Sequence, residues 1–197
     1  MNITGLTGVG DATEKSDHYV DLIRRAIQTP EDAASFWRQI RSGKIEGWED
    51  GKALEYLILR AFQLEQADIV WPFTVYFAGG QLEQIDGIVH FDHYTLMVEC
   101  KDTVEKVNVE PVAKLRHQLS RRPPGILGSV FSTSGFSDAA VLLTTWTSQN
   151  NILLWNGADI KNALLKGRMI DSFRDKYAYL LRTGVPDLTI RNGREPE

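Results

Sequence analysis

The chain has 197 residues, a net charge of −4, 43% hydrophobic residues and 24% charged residues. This length can bury a proper core, and the composition is ordinary for a globular protein. The acidic balance permits a nucleic-acid substrate but lacks the basic excess typical of a dedicated non-specific nucleic-acid binder.

Cys100 is the single cysteine, so an internal disulfide is excluded, and no Cys/His cluster has zinc-site spacing. The first residues lack a basic region followed by an apolar run, which predicts no secretory signal. No uncharged apolar stretch is long enough to span a bilayer. We therefore expect a cytoplasmic protein that does not enter a membrane.

The chain starts with a glycine-rich, polar segment over residues 1–16, which we interpret as a loose terminus. Two helices are predicted over residues 17–28 and 31–42, separated by Pro30 with Thr29 as a cap. Residues 1–48 are accordingly predicted to form an N-terminal helical extension.

A stronger helix follows Asp50. Its apolar residues recur at helical spacing and form one stripe: Leu54, Leu57, Ile58, Ala61 and Phe62. Glu55 lies at the border of this stripe, about 100° around the helix from Leu54. A carboxylate in that position can reach into a site at the edge of the core.

Three strands come next: residues 69–77, then two strands joined by a turn at Asp92 and His93. Pro72 indicates an edge position or a bulge in the first of them. If Phe91 pairs with Tyr94, continuing this register places Asp86 opposite Glu99 and Gln84 opposite Lys101. Cross-strand partners share a face with Cβ atoms about 4.5–5.5 Å apart, so the charged groups are predicted to converge.

The remaining elements alternate between helices and strands. Helices are predicted over residues 109–121, 137–148, 160–165 and 171–181, and strands over residues 126–133 and 152–155. The strand at 126–133 is reached through a helix and should join the sheet in parallel. We predict an α/β fold with a mixed sheet covered by helices on both faces, a core at 49–167, and a C-terminal helix and polar tail at 168–197.

Two acids and a lysine within otherwise apolar strands predict a metal-dependent site, because buried charge is costly unless it is paired or binds a metal. Mg²⁺ needs only one or two protein carboxylates, and Asp86 and Glu99 can supply them with the backbone carbonyl of Cys100. Held beside a phosphodiester, such an ion polarises the phosphoryl group and activates water.

Three further side chains complete the predicted site. We predict Lys101 as the catalytic base, although its ammonium could instead stabilise charge on the phosphate. Glu55 is predicted as an auxiliary acid that holds a second ion or a metal-bound water. Gln84 is predicted to bind a water or the scissile phosphate.

These residues, in this order, resemble the PD-(D/E)xK, or restriction-endonuclease-like, superfamily: Glu55, then Gln84-x-Asp86, then Glu99-x-Lys101. The superfamily's αβββαβ core matches the predicted order of elements. The resemblance is closest to Mrr-like catalytic domains and covers about residues 50–165, continuing through 130–140 and 152–160. Two positions depart from the pattern: Ile85 replaces the proline of the name, and Glu99 stands where Mrr-like domains often carry Gln.

The resemblance implies Mg²⁺-dependent cleavage of DNA phosphodiesters, with Mn²⁺ able to substitute and double-stranded DNA as the substrate, often by a homodimer. Two alternatives stay open at this point. One is an inactive nuclease-fold protein that binds nucleic acid or serves as a scaffold. The other is an RNA-processing enzyme that uses the same residues.

Overall fold

The computed structural model describes residues 6–10, 14–43, 45–78, 80–146 and 151–190. Its helices are α1 (Glu14–Ala26), α2 (Pro30–Ser42), α3 (Lys52–Leu64), α4 (Val109–Leu119), α5 (Asp138–Thr145), α6 (Gly157–Lys166) and α7 (Met169–Thr183). Its strands are β1 (Leu6–Gly10), β2 (Asp68–Val70), β3 (Phe73–Phe77), β4 (Gly80–Ile85), β5 (Gly87–Phe91), β6 (Tyr94–Lys101), β7 (Leu127–Ser132) and β8 (Ile152–Trp155).

The central sheet has five strands in the order β2-β5-β6-β7-β8. The pairs β2–β5 and β5–β6 are antiparallel, whereas β6–β7 and β7–β8 are parallel. Since β7 is reached through α4 and β8 through α5, both parallel connections are helical crossovers, as parallel strands require. The predicted mixed sheet is confirmed.

The hairpin register is confirmed for five pairs, from Phe91↔Tyr94 to Gly87↔Val98. It does not extend further, so the predicted positions of Asp86 opposite Glu99 and of Gln84 opposite Lys101 are wrong. The chain bends at Asp86, which lies between β4 and β5. Gln84 instead pairs with Thr74 in a second sheet of order β1-β3-β4.

This second sheet also corrects two other expectations. Residues 6–10 form β1 and pair with β3, so the predicted loose terminus is wrong for that segment; residues 1–5 and 11–13 lie outside the described residues. The strand predicted over residues 69–77 is two strands, and the chain leaves one sheet and enters the other at Trp71 and Pro72. Proline lacks a backbone N–H, so a break in pairing there leaves no ladder donor missing.

Helices cover both faces of the central sheet, as predicted. On β6, Leu96, Val98 and Cys100 belong to a core shared with α1, α2, α3, α6 and α7. Met97, on the opposite face, packs in a smaller core with α4 and α5. The alternation along β6 therefore sends Glu99 and Lys101 to the α4 side, and Cys100 to the α3 side.

Polar contacts stabilise the start of α2 and the segment that follows α7. Thr29 and Asp32 form a capping box at the start of α2, which confirms the predicted cap. At the other end, the backbone N–H of Ile190 donates to Asp159, and Ile190 is buried. The predicted polar tail is therefore packed against the protein as far as Ile190, and residues 191–197 lie outside the described residues.

Candidate active site

Asp86 and Glu99 meet at the end of the central sheet where β6 finishes and β5 begins. Only 6% of Asp86 and 1% of Glu99 is exposed. The bend before β5 turns the Asp86 side chain towards β6, where its Oδ2 accepts a hydrogen bond from the Cys100 backbone N–H at 2.8 Å. This contact holds one predicted acid against the strand that carries the other.

Glu99 lies between two ammonium groups. Lys101 Nζ is 2.6 Å from Glu99 Oε1, and Lys114 Nζ is 3.0 Å from Oε2. Lys101 follows Glu99 by two residues and so lies on the same face of β6, whereas Lys114 comes from α4. Two ammonium groups thus compensate the charge of Glu99 at a nearly dry position.

Glu55 enters the site from the first turn of α3 and is buried. Its Oε2 accepts a hydrogen bond from Lys52 Nζ at 2.6 Å. Electrostatic interactions of Glu55 with Lys101, Glu99 and Asp86 place it in the same cluster. The structure thus brings together four of the predicted site residues and adds Lys52 and Lys114.

Burial and the short distances between charged groups shift the pKa values of the site residues. Burial raises the pKa of Asp86 to about 7, and the neighbouring carboxylates of Glu55 and Glu99 add to this increase. Burial also raises the pKa of Glu55, against the opposing effect of Lys52. Burial alone would lower the pKa of Lys101, but the carboxylate of Glu99 outweighs it, so the ammonium form is favoured.

Gln84 is the predicted site residue that the structure does not bring into this cluster. Its side chain is exposed, and its backbone oxygen accepts a hydrogen bond from Gln118 Nε2 at 3.0 Å. The neighbouring Glu83 is buried and pairs with both Arg121 and Arg122. Both arginines lie just after α4, so these ion pairs connect the end of that helix to β4.

A glycine allows α3 to approach the site closely. A Cβ atom on Gly87, which follows Asp86, would lie 2.5 Å from Leu59 Cδ2. Leu59 is fully buried one turn after Glu55 on α3. The absence of a side chain at Gly87 therefore permits the packing that carries Glu55 to the bend at Asp86.

The donor set fits one divalent cation held by two carboxylates. Within the described ranges, no three His, Cys, Asp or Glu side chains form a group that could hold a metal ion. Mg²⁺ does not require three, because it keeps several waters and takes one or two protein carboxylates. Asp86 and Glu99 offer hard oxygen donors in a position where burial and the neighbouring carboxylates raise the pKa of Asp86, and a cation would relieve the repulsion between the carboxylates.

A mixed sheet with helices on both faces, and two acids and a lysine at the end of adjacent strands, define a restriction-endonuclease-like fold. The sequence model of the Mrr catalytic domain, described as a restriction endonuclease, matches residues 49–164. This match covers more than half of the chain. The chain belongs to the Mrr catalytic-domain family of restriction endonucleases.

One solved structure is similar in fold, and two others match with lower scores. The small subunit of the heterodimeric restriction endonuclease R.BspD6I matches with a TM-score of 0.52 and 14% identity, over 79% of this chain and 91% of that one. Protein AF1548, of unknown function, matches with a TM-score of 0.46 and 14% identity, over 66% and 77% of the two chains. The MspJI restriction endonuclease in complex with a 27-mer oligonucleotide matches with a TM-score of 0.42 and 18% identity, over 84% and 41%.

None of the curated proteins matches this chain. Within the described ranges, none of the helices combines the length and apolar character needed to cross a lipid bilayer.

Proposed function

We propose that this protein is a divalent-metal-dependent endonuclease that hydrolyses phosphodiester bonds of double-stranded DNA. The observation that carries the proposal is the convergence of Glu55, Asp86, Glu99 and Lys101 at one end of the sheet. Buried carboxylates placed this close repel one another, and clusters of titratable groups with shifted pKa values are typical of functional sites. Membership of a restriction-endonuclease family supports DNA as the substrate.

Asp86 and Glu99 are the proposed ligands of Mg²⁺, for which Mn²⁺ should substitute. When bound, the cation would neutralise charge on the phosphoryl group and lower the pKa of the attacking water. The Cys100 backbone carbonyl is the proposed third protein ligand, since the β5–β6 pairing stops at Gly87↔Val98 and Cys100 lies beyond it. Glu55 is proposed as an auxiliary acid, and Gln84 as a contact to water or to the scissile phosphate.

Lys101 is the proposed catalytic base. Its contact with Glu99 favours the ammonium form, so it must leave that carboxylate before it can accept a proton. While it stays protonated, the same group can donate a hydrogen bond to a phosphate oxygen and stabilise negative charge. If Lys101 leaves, Glu99 keeps its contact with Lys114, whose Nζ lies 3.2 Å from Oε1 and 3.0 Å from Oε2.

The proposal also includes the domain organisation, the location and the oligomeric state of the protein. We propose that residues 49–167 form the nuclease core, with residues 1–48 and 168–197 as extensions, and that the protein acts in the cytoplasm and can form a homodimer. The proposed departure of Lys101 from Glu99 does not depend on the domain bounds, on the location in the cell or on dimer formation.

Plasmid nicking tests the proposal. Purified protein should convert supercoiled DNA to open-circular and linear forms with Mg²⁺ or Mn²⁺, and chelation of the metal should stop the reaction. Asp86→Ala and Lys101→Ala should each abolish activity. Equal residual activity in the parent protein and both variants would indicate a contaminating nuclease and would overturn the proposal. Faster cleavage of RNA than of DNA by the same site would assign it to RNA processing.

A further inference from the structure

A basic groove lies beside the candidate active site and is not used by it. Its volume is about 700 Å³, and its walls come from the end of α2, the start of α6 and the segment that follows β7. Three cationic side chains line it: Arg38, Arg41 and Lys161. None of the described residues in its lining is acidic, which is notable in a chain with a net charge of −4.

These three cationic side chains are exposed. No described carboxylate forms an ion pair with any of the three. Arg41 stacks its guanidinium over Trp37 at 5.9 Å from the ring centroid, which orients the group without neutralising it. Like charges gathered around one concave surface focus a positive potential there and favour an anionic ligand.

The groove lies at the same end of the sheet as Lys101. Cys100, Phe131 and Trp155 form one row across β6, β7 and β8. Lys101 and Asn156, which lines the groove, follow the two ends of that row. Strands in a sheet are about 4.8 Å apart, so the two positions are separated by about 10 Å.

Hydrogen bonds connect the groove to the segment that follows Lys101. Thr133 Oγ1 donates to Asp102 Oδ1 at 2.9 Å, and Ser134 Oγ donates to the backbone oxygen of Glu105 at 2.6 Å. Both hydroxyl residues line the groove. The position of the groove relative to β6 is therefore fixed by direct contacts.

We propose that this groove binds the phosphodiester backbone of the DNA strand, within a few nucleotides of the bond that is cut. The phosphates of one strand advance 3.4 Å each along the helix axis and also wind around it, so neighbouring phosphates are farther apart than 3.4 Å and a phosphate about one to two positions away lies at the required distance. Arg41 and Lys161 each contact a phosphate oxygen, and Arg38 adds to the local potential. The inference rests on the proposed nuclease function and extends its substrate site to α2, which lies outside the segment that matches the family.

Such contacts position the DNA and carry no sequence information. Their loss should weaken binding equally for unrelated sequences and reduce the salt dependence, by about one unit of the log–log slope for each phosphate contact. A double variant, Arg41→Ala with Lys161→Ala, should therefore reduce the slope by about 2.

The test uses the full chain and fluorescence anisotropy with two duplexes of unrelated sequence, in Ca²⁺, between about 50 and 200 mM salt. Arg25→Ala with Lys166→Ala is the matched control, because these cations are exposed, lie outside the groove and change the net charge equally. Arg41→Lys with Lys161→Arg keeps both charges and should keep the parent slope. Circular dichroism should show that all variants are folded.

The outcomes separate this inference from the proposed function. If the groove variant keeps the parent affinity and slope while the parent protein nicks plasmid through Asp86, the groove inference is wrong and the nuclease function stands. An equal loss of slope in the control variant would also overturn the inference, because net charge alone would explain it. If no nicking is found but the groove variant alone loses slope, the groove binds DNA and the nuclease function is wrong.

Discussion

Asp86 should make the metal-free protein less stable at neutral and alkaline pH, although it is central to the candidate site. Burial and the neighbouring carboxylates raise its pKa from the ordinary value of 3.8 to about 7. The variant Asp86→Asn removes the charge and keeps an oxygen that can accept the Cys100 backbone N–H. We therefore expect Asp86→Asn to increase the free energy of unfolding in EDTA.

The magnitude follows from the pKa difference. Between pH 3.8 and about 7 the folded protein binds more protons at Asp86 than the unfolded chain does. The stabilisation that this provides is complete below pH 3.8 and is lost as the pH rises through 7. The whole difference corresponds to roughly 4 kcal/mol, and because an amide must still be buried, we expect a gain of about 2–4 kcal/mol above pH 7.

Asp159 provides a control with the opposite sign. It is as deeply buried as Asp86, but its Oδ2 lies 2.9 Å from Lys176 Nζ, and neither side chain is exposed. Asp159→Asn leaves a buried ammonium without its counter-charge. Removal of one member of a buried pair costs about 3–5 kcal/mol.

Urea denaturation in EDTA at pH 5 and pH 8 measures both variants. Asp86→Asn should exceed the parent protein in stability at pH 8, with a smaller difference at pH 5, and Asp159→Asn should be less stable at both values. A loss of stability for Asp86→Asn at pH 8 would refute the reasoning, since it would mean that the carboxylate is stabilised as an ion in the folded protein.

Three other changes have expected results. Gly87→Ala should lower the free energy of unfolding by about 1–3 kcal/mol, because the new methyl group displaces the buried Leu59; urea denaturation checks it, and an unchanged midpoint would mean that α3 can shift freely. Lys114→Met should tighten Mn²⁺ binding up to about fivefold, because a half-exposed ammonium no longer competes for Glu99; calorimetric titration checks this, and weaker binding would show that Lys114 positions the ligand. Glu83→Gln should raise the pH at which the protein unfolds in acid. The paired arginines hold the pKa of Glu83 below its usual value, and the stabilisation that this provides is lost as the pH falls through the lowered pKa. An unchanged acid transition in the variant would contradict this prediction.

The hairpin register follows from the sequence once Asp92 and His93 are assigned as the two turn residues, because a two-residue turn determines which flanking residues pair. The extension to Asp86 failed because a register holds only while both strands continue. The bend at Asp86 exchanges a backbone pair for a side-chain contact with the Cys100 N–H. The two acids still meet, by a route that alternation along the strand does not describe.

The cationic partners of the acids differ in how readily the sequence predicts them. Lys52 precedes Glu55 by three residues in a predicted helix, a spacing that places the two side chains side by side, so the pair was available to sequence reasoning. Lys114 was not, because its contact with Glu99 depends on how α4 packs across β6. The basic groove could not be predicted from the sequence either, because only tertiary packing brings Arg41 and Lys161 to the same groove.

The segments outside the core were the least predictable. Residues 6–10 read as a glycine-rich terminus, yet they form a strand because β3 offers an edge for pairing. Ile190 lies in a polar tail by composition but is held by Asp159 and buried. Both outcomes depend on partners distant in sequence, which local patterns do not report.

A crystal soaked in Mn²⁺ tests the central claim most directly, because anomalous scattering locates the ion without reference to activity. We expect a peak coordinated by Asp86 and Glu99, with at least one lysine moved away from Glu99, and no peak in Asp86→Asn crystals soaked in the same way. A fully soaked crystal without a peak between these carboxylates, or with both lysines still on Glu99 and the ion elsewhere, would contradict it.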